Sequence, residues 1–222
     1  LAAGVPAAPG AIVHRGIALP GVANVHSHAF QRAMAGLVER RGPEDDSFWT
    51  WRDVMYRFLA RMTPDDIEAV AAWLYVEMLE AGYTCVGEFH YVHHDAEGRA
   101  YGDPAETAGR IVAAAEAAGI GLTLLPSFYA HGGCGGAPAK PGQRRFLCTL
   151  NQFHGLMEAS ARHVGRLDGA RLGIAPHSLR AVTPDALRDA IGVARAHDRT
   201  LPIHIHVAEQ MREVEGCLAW SG

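Results

Sequence analysis

The sequence carries a histidine pair, His26 and His28, at the end of an apolar stretch that begins at Leu19. In an extended strand, side chains two positions apart point to the same side, so both imidazoles would face one way. Two neutral imidazoles placed like this can share one metal ion, and zinc favours nitrogen ligands of this kind. The pair therefore indicates a metal site, although paired histidines also occur as ordinary polar or surface residues.

Other histidines stand at the ends of further apolar segments. They are His90, His131, His177, His204 and His206. A single histidine in such a place is ordinarily a polar residue at the start of a helix. Five strand ends with the same feature indicate instead that these ends converge on one mouth, as they do in a β/α barrel.

The apolar segments themselves predict five strands. They are the stretch that ends at His26 and His28, Thr84–Phe89, Gly121–Phe128, Arg171–Pro176 and Leu201–Val207. None alternates with polar residues, which indicates strands buried on both faces, in a parallel sheet covered by helices. A Rossmann arrangement is the alternative, but no G-x-G-x-x-G motif follows the first strand. The predicted fold class is therefore α/β.

Helices are predicted between the strands from capping signals and apolar periodicity. Thr63, Pro64 and Asp66 form the pattern of a helix N-terminus, and Gly82 ends that helix. The other predicted helices are Ala29–Arg41, Ser47–Arg61, one that opens at Asp103 and stops before Gly119, Gln143–Val164, Thr183–His197 and a last one that ends at Trp220. The segment Gly42–Asp46 is predicted to be a loop.

The composition indicates a globular chain whose partner is a small molecule. Of its 222 residues 49% are hydrophobic, and 20 basic and 24 acidic residues give a net charge of −4. Neither sign forms a long run, so the sequence favours neither a nucleic acid nor a membrane as partner, and no segment is apolar enough to span a bilayer. The start of the chain lacks a secretory signal, and four scattered cysteines indicate reduced thiols and a cytoplasmic location.

Five stretches carry signals more particular than strands and caps. They are NVHSHAFQRAMAG, SFWTWRDVMYR, EFHYVHHD, HSLRAVTP and HIHVAEQ. With the H-x-H after the first strand and the H-x-x-E from His206 to Glu209, they resemble the amidohydrolase superfamily and, within it, the formimidoylglutamate deiminase family. The resemblance implies a (β/α)8 TIM-type barrel and a zinc-dependent hydrolase of histidine degradation. Such an enzyme converts N-formimidoyl-L-glutamate and water to N-formyl-L-glutamate and ammonia.

The resemblance also implies roles for nine residues. The zinc ligands, for one ion per chain, are His26, His28 and His206; the catalytic proton carrier is Glu209; the substrate contacts are Gln31, Arg52, Tyr91, His177 and Arg180. Two arginines suit a dicarboxylate, because a guanidinium binds a carboxylate with two parallel hydrogen bonds. On simpler interpretations Glu209 is a helix N-terminal carboxylate and Arg52 a solvated helix charge.

Four more histidines lie close to these residues in the sequence. His204 would share a strand face with His206 and is expected to have a supporting role. His90, His93 and His94 could form a second metal cluster, but their H-x-x-H-H spacing has no helix or strand geometry to orient it. We expect these three to support the site or to lie at the surface.

The resemblance also exposes a difference from the family. A closed barrel needs eight βα units, and the sequence provides five. In the family, later strands contribute a catalytic histidine and an aspartate that is both ligand and base, and neither has a candidate here. Residues 1–17 are interpreted as a remnant of an N-terminal small β domain, and residues 18–222 as the N-terminal part of the barrel. Made alone, this fragment is expected to be inactive and aggregation-prone, because strands one and five have open edges.

Two other functions stay open on the sequence. One is a related deaminase that acts on guanine or another aminated heterocycle. Such a substrate has no carboxylate for Arg52 and Arg180 to bind. The other is a half-barrel that binds metal without turnover. The sequence also leaves the oligomeric state open, a homodimer included.

Overall fold

Strands and helices alternate along the chain in the computed structural model, which describes residues 6, 8–12, 14, 16–39 and 48–222. The strands are β1 (Val22–Ser27), β2 (Tyr83–His90), β3 (Gly121–Phe128), β4 (Arg171–Leu172) and β5 (Ala175–Pro176). The helices are α1 (Phe48–Leu59), α2 (Pro64–Glu80), α3 (Glu106–Ala118), α4 (Leu150–Val164), α5 (Pro184–His197) and α6 (Met211–Ser221). Short 3-10 turns span Ala29–Met34, Cys134–Gly136 and Pro141–Gln143.

The strands form one parallel sheet in chain order. β1 pairs with β2, β2 with β3, and β3 with both β4 and β5. From Val86 and Leu124 onward, β2 and β3 are buried, as expected for strands covered on both faces. The sheet and its outer helices confirm the predicted α/β arrangement of consecutive strand–helix units. None of the helices in the described ranges is long and apolar enough to cross a membrane.

The capping signals place the helix starts where the sequence predicted them at α2 and α5. The Thr63 hydroxyl accepts from the Asp66 backbone N–H at 3.2 Å, and Asp66 accepts from the Thr63 N–H at 2.8 Å, which is a complete capping box. Thr183 caps α5 in the same way through the N–H of Ala186. Gly82 and Gly119 follow α2 and α3 with positive φ angles of 92° and 78°.

Three predicted helices have a bound that differs by three or more residues in the structure. The predicted helix Ala29–Arg41 is a 3-10 turn that ends at Met34; Arg41, like the predicted loop Gly42–Asp46, lies outside the described residues. The helix predicted from Gln143 begins at Leu150, because Thr149 and Gln152 form the capping box there. The helix predicted to open at Asp103 begins at Glu106; Asp103 instead accepts from the Ala105 N–H and pairs with His163.

The fourth and fifth predicted strands are less regular than the sequence indicated. Gly173 divides Arg171–Pro176 into β4 and β5, and a Cβ at Gly173 would stand 2.5 Å from a methyl group of Leu125. Leu201–Val207 is not a strand: it contacts its neighbour through isolated parallel bridges, Ile174 to Ile203 and Ser178 to His206. Its backbone still runs beside β4 and β5, so His206 reaches the same sheet end as His28.

Candidate metal and substrate site

One cavity of about 320 Å³ opens at the carboxyl ends of the strands. Its lining includes all nine residues predicted for the site: His26, His28, Gln31, Arg52, Tyr91, His177, Arg180, His206 and Glu209. The remaining wall is aromatic and apolar: Phe48, Trp51, Met55, Tyr56, Tyr129 and Phe146. Of these, Tyr129 directly follows β3. Only histidines at the ends of the strands were considered in the sequence, and including other polar side chains there would have found Tyr129 as well.

Three imidazoles meet at one side of this cavity. His26 and His28 come from the end of β1, and His206 comes from the segment that runs beside β5. One ring nitrogen of each lies within 4.8 Å of the other two, and no other group of this kind occurs among the described residues. The Nε2 atoms of His28 and His206 are 3.3 Å apart.

Backbone carbonyls orient two of the three rings. The Nδ1 of His28 lies 2.8 Å from the Phe89 carbonyl oxygen, and the Nδ1 of His206 lies 3.2 Å from that of His177. A carbonyl can only accept, so each Nδ1 carries the proton and each Nε2 presents a lone pair. Two nitrogen ligands at about 2.0–2.1 Å from one tetrahedral zinc would stand roughly 3.3–3.4 Å apart, which fits the observed separation.

Burial keeps these histidines neutral. It lowers the pKa of His28 to about 3, with a further contribution from the neighbouring His26 and His206. Burial also lowers the pKa values of His26 and His206 below the ordinary value of 6.5. A metal ion binds the neutral imidazole, so the ligands need not release a proton at pH 7.

Glu209 and Arg180 form an ion pair beside the imidazoles. The Arg180 guanidinium donates to Glu209 Oε2 at 2.7 Å and to the Tyr129 hydroxyl at 3.2 Å. Burial raises the pKa of the Glu209 carboxyl, and Arg180 opposes that rise. The carboxylate is thus held at the cavity wall by a cation that the sequence predicted as a substrate contact.

Arg52 faces the cavity from α1. Its guanidinium carbon lies 4.4 Å from the centroid of the Trp49 ring and 5.5 Å from that of Tyr56. Its Nε is buried and has no hydrogen-bond partner among the described residues. The simpler interpretation of Arg52 as a solvated helix charge does not fit these surroundings, whereas a hydrogen-bond acceptor in the cavity would satisfy this donor.

The remaining predicted substrate contacts surround the imidazoles. Gln31 donates its side-chain N–H to the Tyr91 hydroxyl at 3.0 Å, and Tyr91 in turn donates to the sulfur of Met55 at 3.5 Å. Burial lowers the pKa of His177 well below its ordinary value, and its ring stacks on His206 with centroids 5.1 Å apart. Both polar and aromatic groups therefore stand close to the proposed metal ligands.

The other histidines take no part in the cluster. His90 pairs with the Thr107 hydroxyl at 3.0 Å, and His93 donates to the Ser127 carbonyl at 2.8 Å. Together with His94 they are buried, so of the two predictions for these three histidines, support of the site or a surface position, the structure excludes the surface position. His204 lies near enough to His26 to lower the pKa of that ring, but is not one of the three clustered imidazoles.

The sequence matches the model of the amidohydrolase family over residues 17–222. It is 57% identical over 209 residues to the formimidoylglutamate deiminase of Pseudomonas aeruginosa, an alignment that includes 93% of this chain and 45% of that protein. The 8-oxoguanine deaminase of the same organism is 29% identical over 92% of this chain and 43% of its own length. The chain therefore spans less than half the length of these relatives.

A solved structure has a similar fold. The amidohydrolase from Brucella melitensis superposes with a TM-score of 0.86 at 58% sequence identity. The superposition includes 91% of this chain and 44% of the Brucella protein.

Proposed function

Because the chain belongs to the amidohydrolase family, we propose that the protein is a metal-dependent deiminase that converts N-formimidoyl-L-glutamate and water to N-formyl-L-glutamate and ammonia. The observation that carries this proposal is the composition of one cavity. It places three neutral imidazoles and a carboxylate next to two guanidinium groups. The first set suits hydrolysis of a C–N bond, and the second suits a substrate with two carboxylates.

His26, His28 and His206 would hold the metal, which we propose to be one zinc ion per chain. Their nitrogen donors and their spacing fit zinc. A zinc ion there would lower the pKa of a water molecule to about 7 and so provide hydroxide at neutral pH. The carbonyl groups of Phe89 and His177 keep the proton on each Nδ1, so the Nε2 lone pairs would be free to bind the ion.

Glu209 would carry the proton. Its carboxylate takes the two protons of the attacking water one after the other and delivers both to the imine nitrogen, which leaves as ammonia as the C–N bond breaks and the C=O bond forms. A buried carboxyl with a raised pKa suits both steps, because it binds and releases a proton more readily near neutral pH. Arg180 holds the same carboxylate at the cavity wall.

Arg52 and Arg180 would bind the two substrate carboxylates, and Gln31, Tyr91 and His177 would complete the contacts. The unsatisfied Nε of Arg52 supports its part in this assignment. The alternative substrates, guanine and related heterocycles, carry no carboxylate for either guanidinium. The difference between 57% identity to a formimidoylglutamate deiminase and 29% to an 8-oxoguanine deaminase favours the same choice.

The proposal is tested by measuring ammonia release from N-formimidoyl-L-glutamate and from guanine by the full-length protein, with zinc and after chelation. We expect turnover of the first substrate only, and its loss after chelation. Faster turnover of guanine would favour the related deaminase, and zinc binding without ammonia release from either substrate would favour a metal-binding protein without turnover.

The four cysteines are free in the structure, in keeping with the further proposal of a cytoplasmic location.

A further inference from the structure

Two buried carboxylates have no role in the mechanism described above. Glu88 lies in β2 and is 1% exposed, and Glu213 lies in the first turn of α6 and is 5% exposed. They are the only buried acidic residues in the described part of the chain. A carboxylate is costly to bury unless hydrogen bonds compensate, so the partners of these two groups indicate why each is there.

Glu88 holds the backbone directly after the H-x-H motif. Its Oε1 accepts from the N–H of Ala29 at 2.6 Å, and Ala29 follows His28 and is fully buried. The next residue of β2, Phe89, accepts from the His28 ring. Two consecutive residues of β2 therefore fix His28, one through the backbone and one through the imidazole.

Glu213 does the same for the H-x-x-E motif. Its Oε2 accepts from the backbone N–H of Glu209 at 3.1 Å, and its own N–H donates to the Gln210 carbonyl at 2.9 Å. These two bonds close the turn between Glu209 and α6. With its backbone held in this way, Glu209 directs its carboxylate to Arg180 and the cavity.

We propose that Glu88 and Glu213 are positioning residues, each of which uses one buried side-chain oxygen to fix the backbone beside a residue of the site. Glu88 sets the position of the metal ligand His28, and Glu213 sets that of the proton carrier Glu209. This inference rests on the proposed function, because that proposal gives His28 its role as metal ligand and Glu209 its role as proton carrier. Each position requires a hydrogen-bond acceptor on a side chain long enough to meet the backbone N–H of Ala29 or Glu209. The side-chain oxygen of a glutamine supplies such an acceptor, as a carboxylate does.

For Glu213, the test compares E213A and E213Q in the full-length protein, with E215A, an exposed glutamate on the same helix, as the matched control. We expect E213A to lower kcat by roughly 10–100-fold with KM and zinc content unchanged, and E213Q and E215A to stay near the parent. Amide hydrogen exchange at Glu209 should accelerate in E213A and not in E213Q. If E213A does not fold, E213D, which is one methylene shorter, replaces it with the same expectations.

Two results would overturn this part of the inference. One is that E213A, or E213D in its place, has the kcat of the parent protein and the same rate of amide hydrogen exchange at Glu209. The other is an E213Q protein as slow as E213A, which would show that the negative charge matters and not the hydrogen bond.

For Glu88, the measured quantity is zinc affinity, determined by competition with a chelator. We expect E88D, whose carboxylate is too short to reach Ala29, to bind zinc roughly 10–100-fold more weakly and to lose exchange protection at the Ala29 amide. E88Q should retain both, as should E97D, a control at an exposed glutamate. Parental zinc affinity in E88D, or equal losses in E88D and E88Q, would refute the assignment.

The two proposals can fail separately. Zinc titration and hydrogen exchange involve no substrate, so they report on Glu88 and Glu213 even if the protein releases no ammonia from N-formimidoyl-L-glutamate. In that event the proposed function fails while the positioning roles remain measurable.

Discussion

The imidazole cluster depends on single hydrogen bonds that choose a tautomer. His28 and His206 would be poor ligands with the proton on Nε2, since their lone pairs would then face backbone carbonyls. Phe89 and His177 prevent this by accepting from Nδ1. Burial adds to the effect by keeping both rings neutral, which is the form in which an imidazole binds a metal ion.

His206 supplies a direct test of the cluster. We expect the full-length protein to hold about one zinc per chain, and His206→Ala to lose both the zinc and the activity, because the change removes one of the three imidazoles that would hold the ion. Metal analysis of the purified proteins measures this. His154→Ala, at an exposed histidine of α4, is the control and should keep its zinc. Stoichiometric zinc in the His206→Ala protein would remove this residue from the ligand set.

Arg180 tests the substrate assignment. Because its guanidinium would bind a substrate carboxylate in a partly dehydrated cavity and also holds Glu209, we expect Arg180→Ala to lower kcat/KM at least about a hundredfold, or roughly 2.7 kcal/mol. Zinc should stay bound. Arg188→Ala, at an exposed arginine that pairs with Asp185, should leave kcat/KM unchanged. Equal turnover by parent and Arg180→Ala would contradict the assignment.

Among the structural elements, α2 shows how a local signal supports the fold. Its capping box satisfies backbone groups at the helix start that would otherwise lack partners. The same helix packs against α3, where Arg110 bridges the two helices through Asp65 and Glu68. The start of α2 is therefore defined by its own residues, and its position by contacts with the next helix.

The cap at Thr63 has a measurable energy. Thr63→Ala removes the hydroxyl that accepts from Asp66, and we expect the free energy of unfolding to fall by about 1 kcal/mol. Urea denaturation measures the change. Thr63→Ser keeps the hydroxyl and should stay within a few tenths of a kcal/mol of the parent. A Thr63→Ala protein as stable as Thr63→Ser would show that the cap contributes nothing.

For the molecule as a whole, buried histidines couple stability to pH. Burial lowers the pKa of His28 to about 3 and of His93 to about 4, and that of His90 and His177 well below 6.5. Between the unfolded and folded pKa values the unfolded chain binds more protons, so acid favours unfolding. Glu88 acts in the opposite sense, since burial raises its pKa to about 6, and offsets part of the effect between pH 6 and 4.5.

We therefore expect the free energy of unfolding of the metal-free protein to fall as the pH drops below about 6.5. Each of the four histidines should contribute up to about 1.4 kcal/mol per pH unit. Urea denaturation at several pH values measures the slope. His93→Gln, which keeps a donor for the Ser127 carbonyl, should make the slope shallower by about one proton. An unchanged slope in His93→Gln would contradict the coupling.

Neighbouring residues were enough to predict most of the elements. β3 has the bounds that its apolar run predicted, α5 begins after Thr183 as expected, and all nine site residues line one cavity. Apolar periodicity and capping depend on residues a few positions apart, so the sequence contains them directly. The roles predicted for the nine residues came from the resemblance of five motifs to a known family, and the structure shows that these residues line the same cavity.

Contacts between distant residues were beyond this kind of inference. The pairing of Arg180 with Glu209 spans 29 positions, and the bond from Ala29 to Glu88 spans 59. The segment Leu201–Val207 has the composition of a strand, but its backbone pairs with its neighbour through Ile174 and His177, which gives isolated bridges and not a continuous ladder. The packing of strands and helices determines which buried polar groups form hydrogen bonds with each other. A group that loses its water on burial needs a partner in the protein, and that partner can lie far away in the sequence.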